Sequence, residues 1–328
     1  MFSEEEKKHI NSHVIDFPDF RNLPGHYMRE SYEYSNKIFK AFQNNSNIDF
    51  VYAKGFTGWK LIEEKKKGFQ CAPIGVNFHG YEMFQNAPSF KSKLEQILFL
   101  KKPVLYNIRN ADYVLSYGGK ITEIVSSLVV KKNTIIEIPA AIESDWLIGS
   151  IHPAGKKRKF LFIGRYERRK GIEELNQVLK EMIIEYDFEF HFIGQIPENK
   201  KIISEKIFYH GIISDSEKIK SITAICDILV CPSFSEGMPN VILEAMACGL
   251  AVIATDTGAI NLLVSSQTGW LIEPGKMFIK RSMIEAILSS DGLINQKREA
   301  SVQLISKDFI WDKIIFRTIN EIERAAVK

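Results

Sequence analysis

Two glutamates in the C-terminal half, Glu236 and Glu244, are the residues whose type and spacing best suit chemistry on a polar ligand. Seven residues separate them, and Gly237 follows the first. A glycine lets the main chain come close to a ligand, and the amide groups at a helix start favour anions and hydroxyl groups. The stretch therefore predicts a binding site for an anionic or hydroxyl-bearing molecule.

A short helix is expected to position these carboxylates. Pro239 suits a first helical position and Gly249 a C-terminal cap, so the helix should run from about 239 to 248. Apolar residues cover nearly every side of it, which is typical of a helix buried in a larger protein. A buried carboxylate is costly unless it is satisfied. Glu244 should therefore have a partner such as backbone amides, a cation or ligand hydroxyls.

A second stretch places cations at the start of a helix. An apolar strand candidate ends just before the basic loop 165–171, and apolar residues recur at helical spacing after it. Backbone amides, the helix dipole, the Arg165 guanidinium and the Lys170 ammonium would converge there on one anion. The pattern predicts a diphosphate site. The alternative is a solvated basic loop, and we expect that outcome for Arg168 and Arg169.

The motif Glu236-Gly237-x-Pro239-Asn240-x-x-x-Glu244-Ala245-Met246-Ala247-x-Gly249 resembles the retaining glycosyltransferases of family 4, which have the GT-B fold. The resemblance covers residues 160–274 well and the N-terminal half thinly. It implies that Glu244 binds the ribose of a donor nucleotide and that Glu236 contacts the donor sugar. Arg165 and Lys170 match the family's arginine and lysine that hold the diphosphate. The alternative is that both carboxylates are capping or surface-paired groups.

The resemblance also implies one catalytic residue from the opposite domain. His79 ends a strand candidate at the edge where open α/β sheets bind ligands, and in that family a histidine after the equivalent strand reaches the donor. We therefore predict His79 and Glu236 as catalytic residues, with a structural role for this histidine as the alternative. Besides Arg165, Lys170 and Glu244, the predicted donor-binding residues are Gly164, Gly194, Tyr209, Gly237, Met238, Pro239 and Asn240.

Strand and helix patterns alternate along the chain, which indicates parallel sheets with covered faces. We expect an α/β protein of two doubly wound, Rossmann-like domains that face each other across a cleft, as the GT-B resemblance implies. An acceptor-side domain would span 1–150 and a donor-binding domain 151–307, with a C-terminal helix, 308–328, packing back on the first. The linker-like stretch 152–159 marks the boundary.

The N-terminal domain is expected to be short. Relatives usually begin with an apolar strand that runs into a glycine-rich loop lining the acceptor cleft, and no such pattern opens this chain. The first strand candidate is 14–17, followed by a helix candidate at 27–42. The sequence therefore offers more candidate residues for donor binding than for acceptor binding.

Composition limits the function classes. A chain of 328 residues with 45% hydrophobic content suits about two folded domains. The net charge of +3 is too mild for nucleic-acid binding, and no apolar stretch reaches the length of a membrane span. The four cysteines lack metal spacing, so we expect reduced thiols in a cytoplasmic protein. Peripheral contact with the inner face of the cell membrane would suit the basic clusters at 65–67, 101–102, 131–132 and 156–159.

Together these features predict a retaining, metal-independent glycosyltransferase of the hexosyltransferase type. It would move a sugar from a nucleotide-sugar donor, with UDP favoured over GDP, to a hydroxyl of a glycan or lipid-linked acceptor in cell-surface polysaccharide synthesis. No Asp-x-Asp motif occurs, and no cofactor is expected because the cationic loop can stabilise a diphosphate leaving group.

Three other classes of protein are alternatives to this function. A GT-B epimerase acting on a nucleotide sugar would share the architecture, although the glutamate spacing resembles the transferases more. A NAD-dependent oxidoreductase is disfavoured because no strand runs into a Gly-x-Gly-x-x-Gly turn. The main alternative is a catalytically inactive GT-B-like subunit that binds a nucleotide or a protein partner.

Overall fold

The computed structural model describes residues 12–20, 25–45, 47–129 and 134–327 of the chain. Within these ranges, two parallel sheets follow one another along the sequence, and helices connect most successive strands. The strands are β1 (Val51–Lys54), β2 (Ile74–Asn77), β3 (Tyr113–Ser116), β4 (Ile135–Glu137), β5 (Arg158–Ile163), β6 (Phe188–Ile193), β7 (Ile207–Tyr209), β8 (Ile228–Cys231), β9 (Ala251–Thr255) and β10 (Gly269–Ile272). The α-helices are α1 (His26–Phe42), α2 (Trp59–Lys66), α3 (Phe90–Gln96), α4 (Lys102–Asn110), α5 (Gly119–Leu128), α6 (Ile172–Glu185), α7 (Ser216–Ala224), α8 (Asn240–Ala247), α9 (Lys276–Leu288), α10 (Asp291–Asp308) and α11 (Trp311–Ala326).

The N-terminal sheet has the strand order β1-β2-β3-β4, and its neighbouring strands are parallel. Val76 at its centre lies opposite Ala53 on one side and Val114 on the other. All four residues of β2 are buried, as expected for a parallel strand that is covered on both faces. The carboxyl ends of β2 and β3 therefore lie at one edge, where the loops that carry His79 and Tyr117 leave the sheet.

The C-terminal sheet has the strand order β10-β9-β8-β5-β6-β7. The first of these strands in the sequence, β5, pairs with β6 on one side and with β8 on the other. The strand order reverses there, and the crevice at the carboxyl ends of such strands favours ligand binding. The loops that carry Arg165 and Glu236 leave β5 and β8, so the topology brings both predicted clusters together. The two sheets confirm the predicted α/β class of two Rossmann-like domains.

The helix predicted from about 239 to 248 is confirmed as α8, with Pro239 as its N-cap residue. Gly249 follows it with a φ of 78°, the left-handed conformation that ends many helices. Most of the helix is buried, and it packs between the C-terminal sheet and α10. Glu244 is thus carried on a rigid, enclosed element.

Buried arginines hold the linker-like stretch in place. Arg158 of the basic cluster 156–159 is 2% exposed and donates to the Asp291 carboxylate at 2.7 Å. Arg298 on α10 is fully buried and donates to the carbonyl oxygen of His152 at 2.8 Å. Arg158 is therefore not available to a membrane surface, because protein acceptors surround its guanidinium. The domain bounds themselves stay a prediction, and the cluster at 131–132 lies outside the described residues.

The last helix, α11, lies against the N-terminal sheet. Ile314 packs in one apolar cluster with Leu115 of β3 and Ile136 of β4. The amide of Trp311 donates to the carbonyl oxygen of Ile142 at 3.0 Å, which joins the helix start to the segment after β4. The C-terminal segment therefore spans from the second sheet to the first.

One N-terminal prediction needs correction. The strand candidate 14–17 is wrong, because these residues form no strand and the ring of Phe17 packs on Tyr34 of α1 at 5.1 Å instead. The helical segment before β3 begins at Phe90 and continues through a π-helix, Ile97–Lys101, into α4. None of the described helices combines the length and the apolar character needed to cross a bilayer.

The four cysteines are free, and three of them, Cys226, Cys231 and Cys248, are buried. Burial raises the pKa of Cys231 to about 11 and that of Cys226 and Cys248 to about 12. These thiols stay protonated at neutral pH and act as small apolar side chains.

A pair of histidines lies in the second sheet. His191 on β6 is 5% exposed, and its Nδ1 lies 3.0 Å from Nε2 of His210. Its ring stacks on Phe208 with centroids 4.8 Å apart, and its Nε2 lies 3.7 Å from Glu189. Burial lowers the pKa of both histidines, so the native state favours the neutral rings.

We predict that stability falls as the pH drops from 7 to 5.5. The unfolded chain binds protons near pH 6.5, whereas native His191 binds them only at lower pH, so this group should cost at most about 1 kcal/mol of unfolding free energy over that interval. Urea unfolding at both pH values should show a smaller loss for His191→Gln than for the wild type. His13→Gln, at an exposed position, is the control, and an unchanged pH dependence in His191→Gln would contradict the assignment.

Candidate functional site

Glu236 is a buried carboxylate held by two cations. It is 8% exposed, with Lys170 Nζ 2.6 Å from Oε1 and Arg169 Nη1 3.4 Å from Oε2. A carboxylate in such a position requires charged partners because its desolvation is costly. The structure thus joins the glutamate motif and the basic loop, which the sequence presents as separate stretches.

The main chains of these two loops are also tied together. The amide of Phe234 donates to the carbonyl oxygen of Arg169 at 2.8 Å, and Arg169 Nη1 donates to the carbonyl oxygen of Ser235 at 2.7 Å. Gly171 has a φ of 68°, and a Cβ there would lie 2.0 Å from the carbonyl oxygen of Pro232. The expectation that Arg169 is solvated is therefore wrong, since its guanidinium contacts the carbonyl oxygen of Ser235 and the carboxylate of Glu236.

Arg165 and Arg168 lie at the outer side of the same loop. Arg165 is 79% exposed and pairs with Glu167 at 2.9 Å. An exposed pair of this kind contributes only about 0–1 kcal/mol, so the Arg165 guanidinium can turn to another anion at little cost. Arg168 pairs with Glu174 at 2.7 Å, which corrects the expectation that it is merely solvated.

Glu244 contrasts with Glu236. Its carboxylate, half-buried on α8, forms no hydrogen bond or ion pair with any residue that the structure describes. Burial raises its pKa. No described residue supplies the partner that was expected for this carboxylate. Of the partner types expected from the sequence, a ligand hydroxyl remains.

His79 faces the glutamate motif from the N-terminal sheet. Its side chain is exposed, and Nδ1 lies 2.9 Å from the hydroxyl of Tyr117. A Cβ on Gly237 would lie 1.6 Å from the carbonyl oxygen of His79, so only a glycine allows this approach. The structure therefore brings the predicted His79 and Glu236 segments next to each other.

Gln85 joins the two sides of the site, and sequence reasoning missed it. Its Nε2 donates to the carbonyl oxygen of Glu236 at 2.7 Å, while Oε1 accepts from the Glu236 amide at 3.3 Å and from the Thr257 hydroxyl at 2.5 Å. Lys120 forms a second link, with Nζ 2.7 Å from the Asp256 carboxylate. No sequence pattern signals Gln85, whereas Lys120 follows the end of β3, a position where ligand-site residues often occur.

The predicted residues at the ends of β5, β6 and β7 have structural contacts. A Cβ on Gly194 would lie 2.0 Å from the carbonyl oxygen of Gly164, so the two strand ends meet closely. The hydroxyl of Tyr209 accepts from the Ile202 amide at 2.8 Å, and its ring stacks on Phe192 at 5.0 Å. Among the described contacts, none joins Tyr209 to Glu236.

The predicted residues at the start of α8 differ in exposure. Met238 is buried, and its sulfur accepts from the Ala140 amide at 3.2 Å. Pro239 is the N-cap residue, and Asn240, the first residue of the helix, is exposed. Of these three side chains, Asn240 is thus the one accessible to a ligand.

A cavity of about 660 Å³ adjoins the contacts that Gln85 and Lys120 make with the second domain. Its lining combines cations, carboxylates and hydroxyl or amide groups, and it includes Gln85, Lys93, Lys120, Asp256 and Thr257. No group of three or more metal-ligating side chains comes together in the described ranges. The arrangement suits a polar molecule that reaches the Glu236 loop from the N-terminal side.

Comparison with known families gives a match in the second domain. Residues 157–289 match the family model described as "Glycosyl transferases group 1". An uncharacterized glycosyltransferase of Methanocaldococcus jannaschii is 24% identical over 321 residues, covering 95% of this chain and 85% of that protein. The capsular polysaccharide biosynthesis glycosyltransferase CapM of Staphylococcus aureus is 27% identical over 168 residues, covering 47% of this chain and 43% of CapM.

Solved structures share the whole fold. A glycosyltransferase from Rickettsia africae matches with a TM-score of 0.67 at 19% identity, covering 98% of this chain and 86% of that one. HepE of Anabaena in complex with UDP-glucose matches with a TM-score of 0.66 at 15% identity, covering 88% and 82% of the two chains. The chain therefore has the GT-B fold.

Proposed function

We propose that the chain is a retaining, metal-independent glycosyltransferase of family 4. It transfers a sugar from a nucleotide-sugar donor, with UDP favoured over GDP, to a hydroxyl of a glycan or lipid-linked acceptor in cell-surface polysaccharide synthesis. CapM, which is named for capsular polysaccharide biosynthesis, and HepE, which was solved with UDP-glucose, support the acceptor and donor classes.

One observation carries the proposal. The buried Glu236 carboxylate lies beside the basic loop at the point where the strand order of the second sheet reverses. A nucleotide sugar needs cations for its diphosphate and carboxylates for its hydroxyl groups. Lys170, Arg165, Glu236 and Glu244 supply these groups from two neighbouring loops and one helix.

The charges of the site fit a departing diphosphate. Lys170 uses one of its three N–H donors on Glu236, which leaves two for phosphate oxygens. Arg165 can exchange its exposed contact with Glu167 for the same anion. Because the cations are already placed where negative charge develops on the leaving group, they stabilise the transition state more than the ground state. We propose no enzymatic nucleophile.

The first test is thermal unfolding with UDP, GDP, ADP and dTDP, each in large excess. A nucleotide at about 100 times its Kd should add about 2.7 kcal/mol of stability. Arg165→Ala should abolish most of that shift, while Arg317→Ala, an exposed arginine on α11, should retain it. Absence of a shift with all four nucleotides would count against the donor site and favour the inactive-subunit alternative.

We predict that Glu244→Gln weakens binding of the stabilising nucleotide by about 10- to 100-fold, because hydrogen bonds to a charged group contribute about 1.5–3 kcal/mol. The unliganded variant should be at least as stable as the wild type, since no described residue pairs with this carboxylate and its burial is unfavourable. Calorimetric titration and unfolding of the apo protein measure the two effects. Glu205→Gln, on an exposed loop, is the control. Unchanged affinity in a folded Glu244→Gln variant would refute the ribose assignment.

We predict that Gln85→Ala slows sugar transfer by at least about tenfold but changes nucleotide affinity much less, because Gln85 holds the Glu236 main chain from the acceptor side. The loss of its bonds should also cost about 1–3 kcal/mol of stability. Steady-state transfer rates and nucleotide titration separate the effects, with Gln267→Ala as an exposed control. Equal losses of rate and of nucleotide affinity would contradict a positioning role.

A further inference from the structure

The helical segment from Phe90 to Lys102 exposes an unusual set of apolar side chains, and we name it the 90–102 surface. Phe90 is 85% exposed, Leu94 44%, Leu98 63% and Phe99 46%. The first three are spaced four residues apart, so they follow one face of the helix. The π-helix at 97–101 changes the helical register and presents both Leu98 and Phe99 outward. A contiguous apolar patch of this kind marks an interaction surface.

The charges of the 90–102 surface are unbalanced. It contains Lys91, Lys93, Lys101 and Lys102, against Glu95 alone. None of these lysines forms an ion pair with a described residue, whereas lysines of the 65–67 cluster pair with carboxylates. Burial, followed by repulsion from Lys101, lowers the pKa of Lys93. Apolar side chains flanked by lysines without carboxylate partners fit an anionic lipid interface, since lipid headgroups supply negative charge and acyl chains take the apolar groups.

The 90–102 surface also borders the candidate site. Phe90 and Lys93 line the cavity of about 660 Å³ that Lys120 and Thr257 line from the other side. Lys93 Nζ donates to the carbonyl oxygen of Gln85, whose side chain holds the Glu236 loop. A molecule entering from this surface therefore meets the cavity before it meets the glutamate motif.

We propose that the 90–102 surface docks on an anionic lipid bilayer and places the cavity mouth at the level of the headgroups. The apolar stripe enters the interface while the lysines contact lipid phosphates. A lipid-linked acceptor then enters the cavity from the membrane with its polar end toward Glu236. This inference rests on the proposed function for the identity of the acceptor, but the docking surface itself depends only on the exposed residues.

Vesicle flotation tests the docking directly. The wild-type chain should bind vesicles of phosphatidylcholine with about 30% phosphatidylglycerol far better than phosphatidylcholine alone, and salt should weaken the binding. Leu94→Gln with Leu98→Gln, and separately Lys91→Glu with Lys102→Glu, should each reduce binding at least about tenfold. The matched control, Ile203→Gln with Lys180→Glu, changes an exposed apolar residue and an exposed lysine of the second domain and should bind like the wild type.

The outcomes separate this inference from the proposed function. Vesicle binding that is absent, or equal in the surface variants and the wild type, overturns the docking surface, and so does an equal loss in the matched control. Circular dichroism and a cooperative thermal transition without ligand show that each variant is folded, and a nucleotide-induced thermal shift is measured separately. If that shift is present but vesicles do not bind, the docking surface fails and the proposed function stands. If vesicles bind through this surface but no nucleotide stabilises the chain, the proposed function fails alone.

Discussion

The ion pair between Glu236 and Lys170 is the interaction on which the rest of the site depends. A carboxylate that is only 8% exposed costs several kcal/mol to desolvate, and the ammonium group 2.6 Å away offsets that cost. The pair forms only because β5 and β8 are neighbours, so that their loops leave the sheet side by side. Gly171 permits the loops to touch, since any side chain there would collide with Pro232. The ion pair thus requires the strand order and the loop geometry together.

The glutamate motif is held from two domains rather than one. Within the second domain, cations fix the Glu236 carboxylate, while Gln85 of the first domain pairs with its amide and carbonyl groups. Gln85 thus pairs with this main chain as a neighbouring strand would. The site geometry therefore depends on how the two sheets are placed relative to each other. The ion pair between Lys120 and Asp256 is a second contact that joins the two sides. A separated second domain would retain its cations but lose the restraint on the Glu236 main chain.

The sequence predicts the parts of the molecule that local patterns determine. Apolar runs marked the strands, and Pro239 and Gly249 bounded α8 to within a residue or two. The partners of Arg158 and Arg169 could not be predicted, because a basic cluster looks the same whether its partners are water or distant acceptors, and those acceptors lie far along the chain. Gln85 gave no signal, since an uncharged residue in a loop becomes informative only when its tertiary contacts are known. Local periodicity thus predicts the elements, whereas long-range polar contacts require the fold.

The two glutamates of the motif differ in whether protein groups pair with their carboxylates. Both are on or next to the same buried helix, yet Glu236 has two cations and Glu244 has no partner among the described residues. A carboxylate whose pKa is raised by burial alone makes the folded chain less stable, because nothing offsets the loss of its hydration. Such a cost is characteristic of sites whose missing hydrogen bonds are made by a bound molecule. Glu236 is thus organised by the protein itself, and Glu244 is the group that a hydroxyl-bearing ligand would satisfy.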